Sequence, residues 1–189
     1  MYDFRSYCLT AARNFEVLAD LEDVVQRAIE TVYAALARGN KIMFCGNGGS
    51  AADAQHLAAE LVGRYLIERS PLPGLALTVD TSALTAIAND YAFDQVFARQ
   101  LRALGREGDV LIAISTSGNS ANVLRAIEAA RENGMPTIGL TGRSGGRMRQ
   151  LCDLCICVPS EQTNHIQEMH IAVGHAICGA AERRLADRA

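Results

Sequence analysis

An apolar run that breaks into a glycine-rich turn and then into an alanine-rich segment leaves a chain few options. Ile42-Met-Phe-Cys-Gly-Asn-Gly-Gly-Ser50 is such a run. Ile42 to Cys45 reads as a short buried strand. Gly46, Gly48 and Gly49 permit a tight turn and let the backbone approach a ligand closely. Ser50 is the expected cap of a helix over Ala51 to Val62, where alanine is frequent and proline absent. The free N–H groups and positive dipole end of such a helix suit an anion or sugar oxygens. His56 and Glu60, four residues apart, share one helix face. Alone, the pair is more often a surface ion pair, and the turn a plain connection. Together they set two metal-ligating or proton-transferring groups beside a turn suited to a polar ligand.

Strand and helix patterns then alternate. Two helices open the chain: Phe15 and Leu18 mark the first, while Ile29, Val32, Tyr33 and Leu36 give the second an apolar stripe ended by Gly39-Asn40. Further strands are expected at Leu75 to Val79, Asp109 to Ile114, Pro136 to Leu140 and around Cys155. Helices are expected at Ser82 to Ala88, Asp94 to Leu104, Ser120 to Asn133 and His165 to Leu185. This order implies an α/β fold, a three-layer, doubly wound parallel sheet with N-terminal helices. One domain is expected over residues 1–189, with a helical pair at 1–38 and the α/β core and last helix at 39–189. In such folds ligands bind beyond the carboxyl ends of the strands.

The formal net charge is −3 and Lys and Arg form no long cluster, which argues against a nucleic-acid partner. No apolar segment reaches the ~18 residues of a membrane span, and Met1 to Asn14 has no secretory apolar core. A soluble, cytoplasmic protein with no membrane partner is expected. Of the six cysteines, Cys152, Cys155 and Cys157 lie close together but lack a second cluster to complete a four-thiolate site. They, and Cys8, Cys45 and Cys178, read as small, reduced core residues.

Two further stretches carry chemistry. Ser115-Thr-Ser-Gly-Asn-Ser120 ends a central strand and opens a helix, and Ser115, Thr116, Ser117 and Ser120 can each donate to a phosphate oxygen. No Walker lysine accompanies it, so it is not a nucleotide loop. The last helix begins Thr163-Asn-His-Ile-Gln-Glu-Met-His-Ile-Ala-Val-Gly-His175. Gln167 and His175, two turns apart, face one side, while His170 points elsewhere. Spacing alone leaves open which of His170 and His175 is functional.

The glycine turn with His56 and Glu60, the hydroxyl-rich loop and Ile166-Gln-Glu-Met-His-Ile171, in this order, resemble the phosphoheptose isomerases of the sugar isomerase (SIS) domain superfamily over nearly the whole chain. The resemblance implies a cytoplasmic homotetramer that interconverts sedoheptulose 7-phosphate and D-glycero-D-manno-heptose 7-phosphate, feeding nucleotide-activated heptose for lipopolysaccharide core or other surface glycans. It implies one zinc per subunit on His56, Glu60, Gln167 and His175, with Glu60 and His175 as the acid/base pair. It places the phosphorylated seven-carbon sugar against Asn47, Gly48, Gly49, Ser50, Asn89, Asp90, Thr163, Gln167 and the Ser115, Thr116, Ser117 and Ser120 loop. His165 departs from the arginine frequent at that position in the family. A non-catalytic SIS scaffold that binds the replication initiator, or an isomerase of another phosphosugar, are the rival readings, and the intact His56, Glu60, Gln167 and His175 set favours the enzyme.

Overall fold

The computed structural model describes residues 3–186. Asp3 caps helix α1 (Phe4–Leu18) by accepting from the Arg5 and Ser6 N–H groups. A single 3₁₀ turn leads to α2 (Glu22–Ala37), which stops where Gly39 takes φ 81°. The core then runs β1 (Ile42–Gly46), α3 (Gly49–Val62), β2 (Gly74–Ala76), α4 (Thr81–Asp90), α5 (Val96–Leu104), β3 (Val110–Ile114), α6 (Ala121–Glu132), β4 (Thr137–Thr141), a short α7 (Met148–Leu151), β5 (Leu154–Cys157) and a long α8 (Thr163–Ala186).

The strands form one parallel sheet in the order β2-β1-β3-β4-β5. Alternation along each strand feeds two apolar layers. Ile42 and Phe44, with Val110, Ile112 and Ile114, pack with α2, α3 and α8. Met43 and Cys45, with Leu111 and Ala113, pack with α5 and α6. Both faces are covered, which is why the central strands read as unbroken apolar runs. The doubly wound α/β expectation holds, N-terminal helices included.

Several details depart from the sequence reading. β2 ends at Ala76 rather than Val79, because Thr78 turns to donate to the Ala51 carbonyl and Asp80 already caps α4. Helix α4 continues through Asn89 and Asp90. Cys155 and Cys157 are half-buried on an edge strand, their sulfurs 3.8 Å apart, and Cys8 is exposed on α1. Cys8 and Cys157 are not core positions, while Cys152 and Cys155 pack partly buried against the α5–α6 layer. Among the described residues β5 has a neighbour on one side only, and α1 has no buried residue.

Candidate functional site

The connection after β1 leads to one edge of the sheet and that after β3 to the other, so the two loops diverge at a topological switch point. Gly46 pairs in register with Ile114, and both loops therefore leave the sheet side by side.

In the first loop each glycine has a separate task. A Cβ on Gly46 would lie 2.6 Å from the Ser50 carbonyl oxygen, and Gly48 takes φ 56°. With the chain turning this early, α3 starts at Gly49 and its cap is Gly48. Ser50 is buried within the first turn and does not cap the helix, contrary to the sequence reading. A Cβ on Gly49 would overlap the side-chain amide of Gln167, so α8 presents that amide to the start of α3.

About two and three turns further along α3 stand His56 and Glu60, and α8 brings His175 to them. His56 Nε2 lies 2.9 Å from His175 Nε2 and 3.0 Å from Glu60 Oε1, and His175 Nε2 lies 4.0 Å from the same oxygen. Geometry thus joins His175, rather than His170, to the α3 pair. His170 is fully buried, neither ring nitrogen has a hydrogen-bond partner among the described residues, and burial lowers its pKa to about 4 against a smaller opposing pull from the Thr141 backbone. His165 is buried elsewhere, bonded through Nδ1 to Glu168 at 2.8 Å, and Glu168 also accepts from the Tyr7 hydroxyl of α1.

Two neighbours of the cluster, and one of the glycine turn, are not singled out by the sequence. Asp53, one turn before His56, has a buried carboxylate oxygen without a partner. Burial pushes its carboxyl above the ordinary range, and His56 draws it part of the way back. Tyr65 stacks on the His175 ring, centroids 5.2 Å apart and planes 8° from parallel. Asn122, in the first turn of α6, exchanges amide hydrogen bonds of 2.9 and 2.8 Å with Asn47 and is 2% exposed. The Tyr65 and Asn122 contacts join residues distant in the chain, which no periodic pattern signals, whereas Asp53 meets His56 within one turn of α3.

In the second loop three serine hydroxyls lie together. Ser115 Oγ lies 2.9 Å from Ser120 Oγ and 3.4 Å from Ser117 Oγ. Ser120 occupies the cap position of α6 but makes no side-chain capping bond, which leaves its hydroxyl turned to the Ser115 group. Gly118 takes φ 65° and packs so closely on the Gly145 carbonyl that no side chain fits between. Thr116 accepts at its carbonyl from the Gly142 N–H, tying this loop to the one after β4. Asn89 and Asp90 are exposed at the end of α4, with the Asn89 amide donating to Asp90, and Thr163 is exposed at the start of α8. These three stand on the surface of the chain rather than in the histidine cluster.

His56, Glu60 and His175 offer two imidazole nitrogens and a carboxylate oxygen within 4.8 Å of one another. Two Nε2 atoms 2.9 Å apart cannot both carry protons without repulsion. The three separations bracket the ~3.3 Å between donors implied by zinc–nitrogen and zinc–oxygen bonds of ~2.0–2.1 Å in a tetrahedron. The donor set therefore fits a divalent cation of borderline softness.

The SIS-domain family model matches residues 6–142. The phosphoheptose isomerase of Rhodospirillum rubrum is 63% identical over 97% of this chain and 97% of its own. That of Akkermansia muciniphila is 55% identical over 96% of each. Among solved structures, the phosphoheptose isomerase of Neisseria gonorrhoeae superposes with a TM-score of 0.90 at 47% identity, covering 95% of this chain and 96% of that one. The one from Francisella tularensis gives 0.91 at 37% identity, with the same coverage.

Proposed function

Because the chain belongs to the SIS-domain family and, within it, to the phosphoheptose isomerases, we propose that it interconverts sedoheptulose 7-phosphate and D-glycero-D-manno-heptose 7-phosphate. The observation that carries this reading is the convergence of Glu60 and His175, from different helices, beside two loops built to hold polar ligands.

Aldose–ketose exchange moves a proton between C1 and C2 and another between their oxygens. From the ketose side, Glu60 accepts the C1 proton while the C–H electrons form the C=C bond of the enediol. His175 donates to the C2 carbonyl oxygen, which becomes a hydroxyl. The reverse exchange at C2 and O1 delivers the aldose and restores both groups. Glu60 Oε1 already faces His56, which leaves Oε2 for the carbon-bound proton. Gly48 and Gly49 bring backbone N–H groups to the sugar, Asn47 holds that turn, and Ser50 supports it from within the helix. The Ser115, Thr116, Ser117 and Ser120 hydroxyls and the α6 dipole hold the phosphate.

His56, Glu60, Gln167 and His175 would hold one zinc ion per subunit. Bound there, it would supply Lewis-acid polarisation of the substrate oxygens and stabilise enediolate charge. Asn89, Asp90 and Thr163 complete the sugar contacts in a homotetramer. Phe4, Phe15 and Val17 on α1 are exposed, and an apolar groove runs between Phe15, Leu18 and Val25 and the α8 residues Ala172, Val173 and Ala176, surfaces suited to a second copy. The chain acts as one SIS domain in the cytoplasm, at the first step towards a nucleotide-activated heptose for surface glycans.

The test is incubation of purified protein with sedoheptulose 7-phosphate, following the aldose anomeric signal by NMR. Appearance of the heptose 7-phosphate supports the assignment. Turnover of a shorter phosphoketose in preference to it would overturn the substrate.

A further inference from the structure

Tyr65 lies in residues 63–70, a segment without regular structure between α3 and β2. Such a segment would ordinarily be mobile. Here it is held by a buried ion pair. Glu182 of α8, 0% exposed, accepts from the backbone N–H groups of Tyr65, Leu66 and Ile67 at 2.9, 2.8 and 3.2 Å. Its Oε1 lies 3.1 Å from Arg69 Nε. The Arg69 guanidinium in turn donates to the carbonyls of Glu60, Leu61, Gly63 and Ser70, at 2.7 to 3.1 Å. Burial alone would raise the Glu182 carboxyl. The three N–H donors and Arg69 outweigh it and hold the group below the ordinary carboxylate range, hence charged.

The anchor, a slot and the stacking partner share one face of α8. His175, Gly179 and Glu182 are spaced four and three residues apart. A Cβ on Gly179 would lie 3.1 Å from Tyr65 Cε1, so the missing side chain is what lets the phenol ring lie against the helix. The residues beside His175 on the open side of α8, Ala172 and Ala176, are too small to wall its ring. Rotation about the last bond of a histidine side chain is soft; the His56 ring meets the His175 ring edge-on at 5.0 Å, while the Tyr65 ring, stacked at 5.2 Å and 8° from parallel, lies flat against its plane.

We propose that Tyr65, clamped by Glu182 and Arg69, is a positioning residue that fixes the plane of the His175 imidazole so that Nε2 faces His56 and Glu60. The inference rests on His175 being a catalytic residue, as proposed above. The same clamp grips the Glu60 carbonyl, so one buried pair holds the backbone of Glu60 and, through Tyr65, the ring of His175. Neither Tyr65 nor Glu182 needs to touch the sugar.

The test combines a spectroscopic readout with kinetics. In metal-free protein the His175 ring protons, assigned by their loss in His175→Asn, should show the upfield ring-current shift of a stacked aromatic. Tyr65→Leu should abolish that shift and lower kcat by ~10–100-fold with KM changed by less than about twofold, the scale of a misplaced catalytic group. Tyr65→Phe should keep the shift and most of the activity. Gly179→Ala, which improves helix propensity while crowding the slot, should move the His175 signals and lower kcat in the same direction by a smaller factor. Unchanged ring signals and kcat in both Tyr65→Leu and Gly179→Ala would overturn the proposal, as would Tyr65→Phe falling as far as Tyr65→Leu. If the parent protein does not turn over the heptose phosphate, the preceding functional reading fails, and the ring signals still decide whether the stack exists.

Discussion

Asn47 and Asn122 hold each other through two reciprocal amide hydrogen bonds, which tie the turn after β1 to the first turn of α6. Asn122 also accepts from its neighbouring Val123 N–H, which keeps its amide oriented.

Asn122→Ala is therefore expected to do two things. It strands the Asn47 amide, at a cost of ~1–3 kcal/mol, visible as a lower Tm. It also uncouples the proposed sugar loop from the proposed phosphate loop, so KM should rise. A variant with the Tm and KM of the parent would show that the two loops are held in place by other contacts.

Ser117→Ala combined with Ser120→Ala removes two hydroxyls from the proposed phosphate loop. Each hydrogen bond to a charged group contributes ~1.5–3 kcal/mol. KM should rise at least about tenfold, with circular dichroism unchanged. Steady-state kinetics decides it, and an unaltered KM places the phosphate elsewhere.

His175→Asn separates acid/base chemistry from packing. The residue is partly exposed, so the fold should survive. Turnover should fall by the ~10²–10⁴-fold typical of losing a general acid or base, and the zinc-to-protein ratio after loading should fall with it. Full activity with full metal content would remove His175 from the site.

His170 gives the opposite expectation. Its folded pKa is about 4, below the ordinary 6.5. A depressed folded value means that the unfolded chain binds the extra proton first. Stability from the neutral, buried ring is fully present above about pH 6.5 and drains away as pH falls towards 4. His170→Leu removes both that linkage and two unsatisfied ring nitrogens. Its stability should vary less between pH 6.5 and 4 than that of the parent, and kcat should change little. Denaturant titrations at several pH values provide the comparison, and parallel pH curves for the two proteins would contradict the assignment.

The alternation of apolar runs with helical stretches made the sheet and its two covered faces legible before any coordinates, because burial on both sides leaves a continuous signal. The glycine turn and the serine loop were legible for the same reason: their residue types are costly anywhere else. The cap of α3 was misplaced because Ser50 looks like a cap in isolation, while Gly46 and Gly48 let the chain turn before reaching it. Tyr65 and Glu182 are separated by 117 residues and Asn47 and Asn122 by 75. No local period encodes such meetings. The cysteines of β5 were read as core because strand composition does not reveal which strand lies at the edge.

His56 and His175 are 119 residues apart. Helix α8 closes one face of the sheet with the same residues that bring His175 to α3. Long loops of this kind close late, since their entropy must be met before the contact returns anything. A chain with its strands paired but α8 undocked would thus lack both one wall of its core and the proposed acid/base centre. On the proposed mechanism, the ability to enolise a sugar would arrive only with the last helix in place, so that completion of the core and onset of reactivity would coincide.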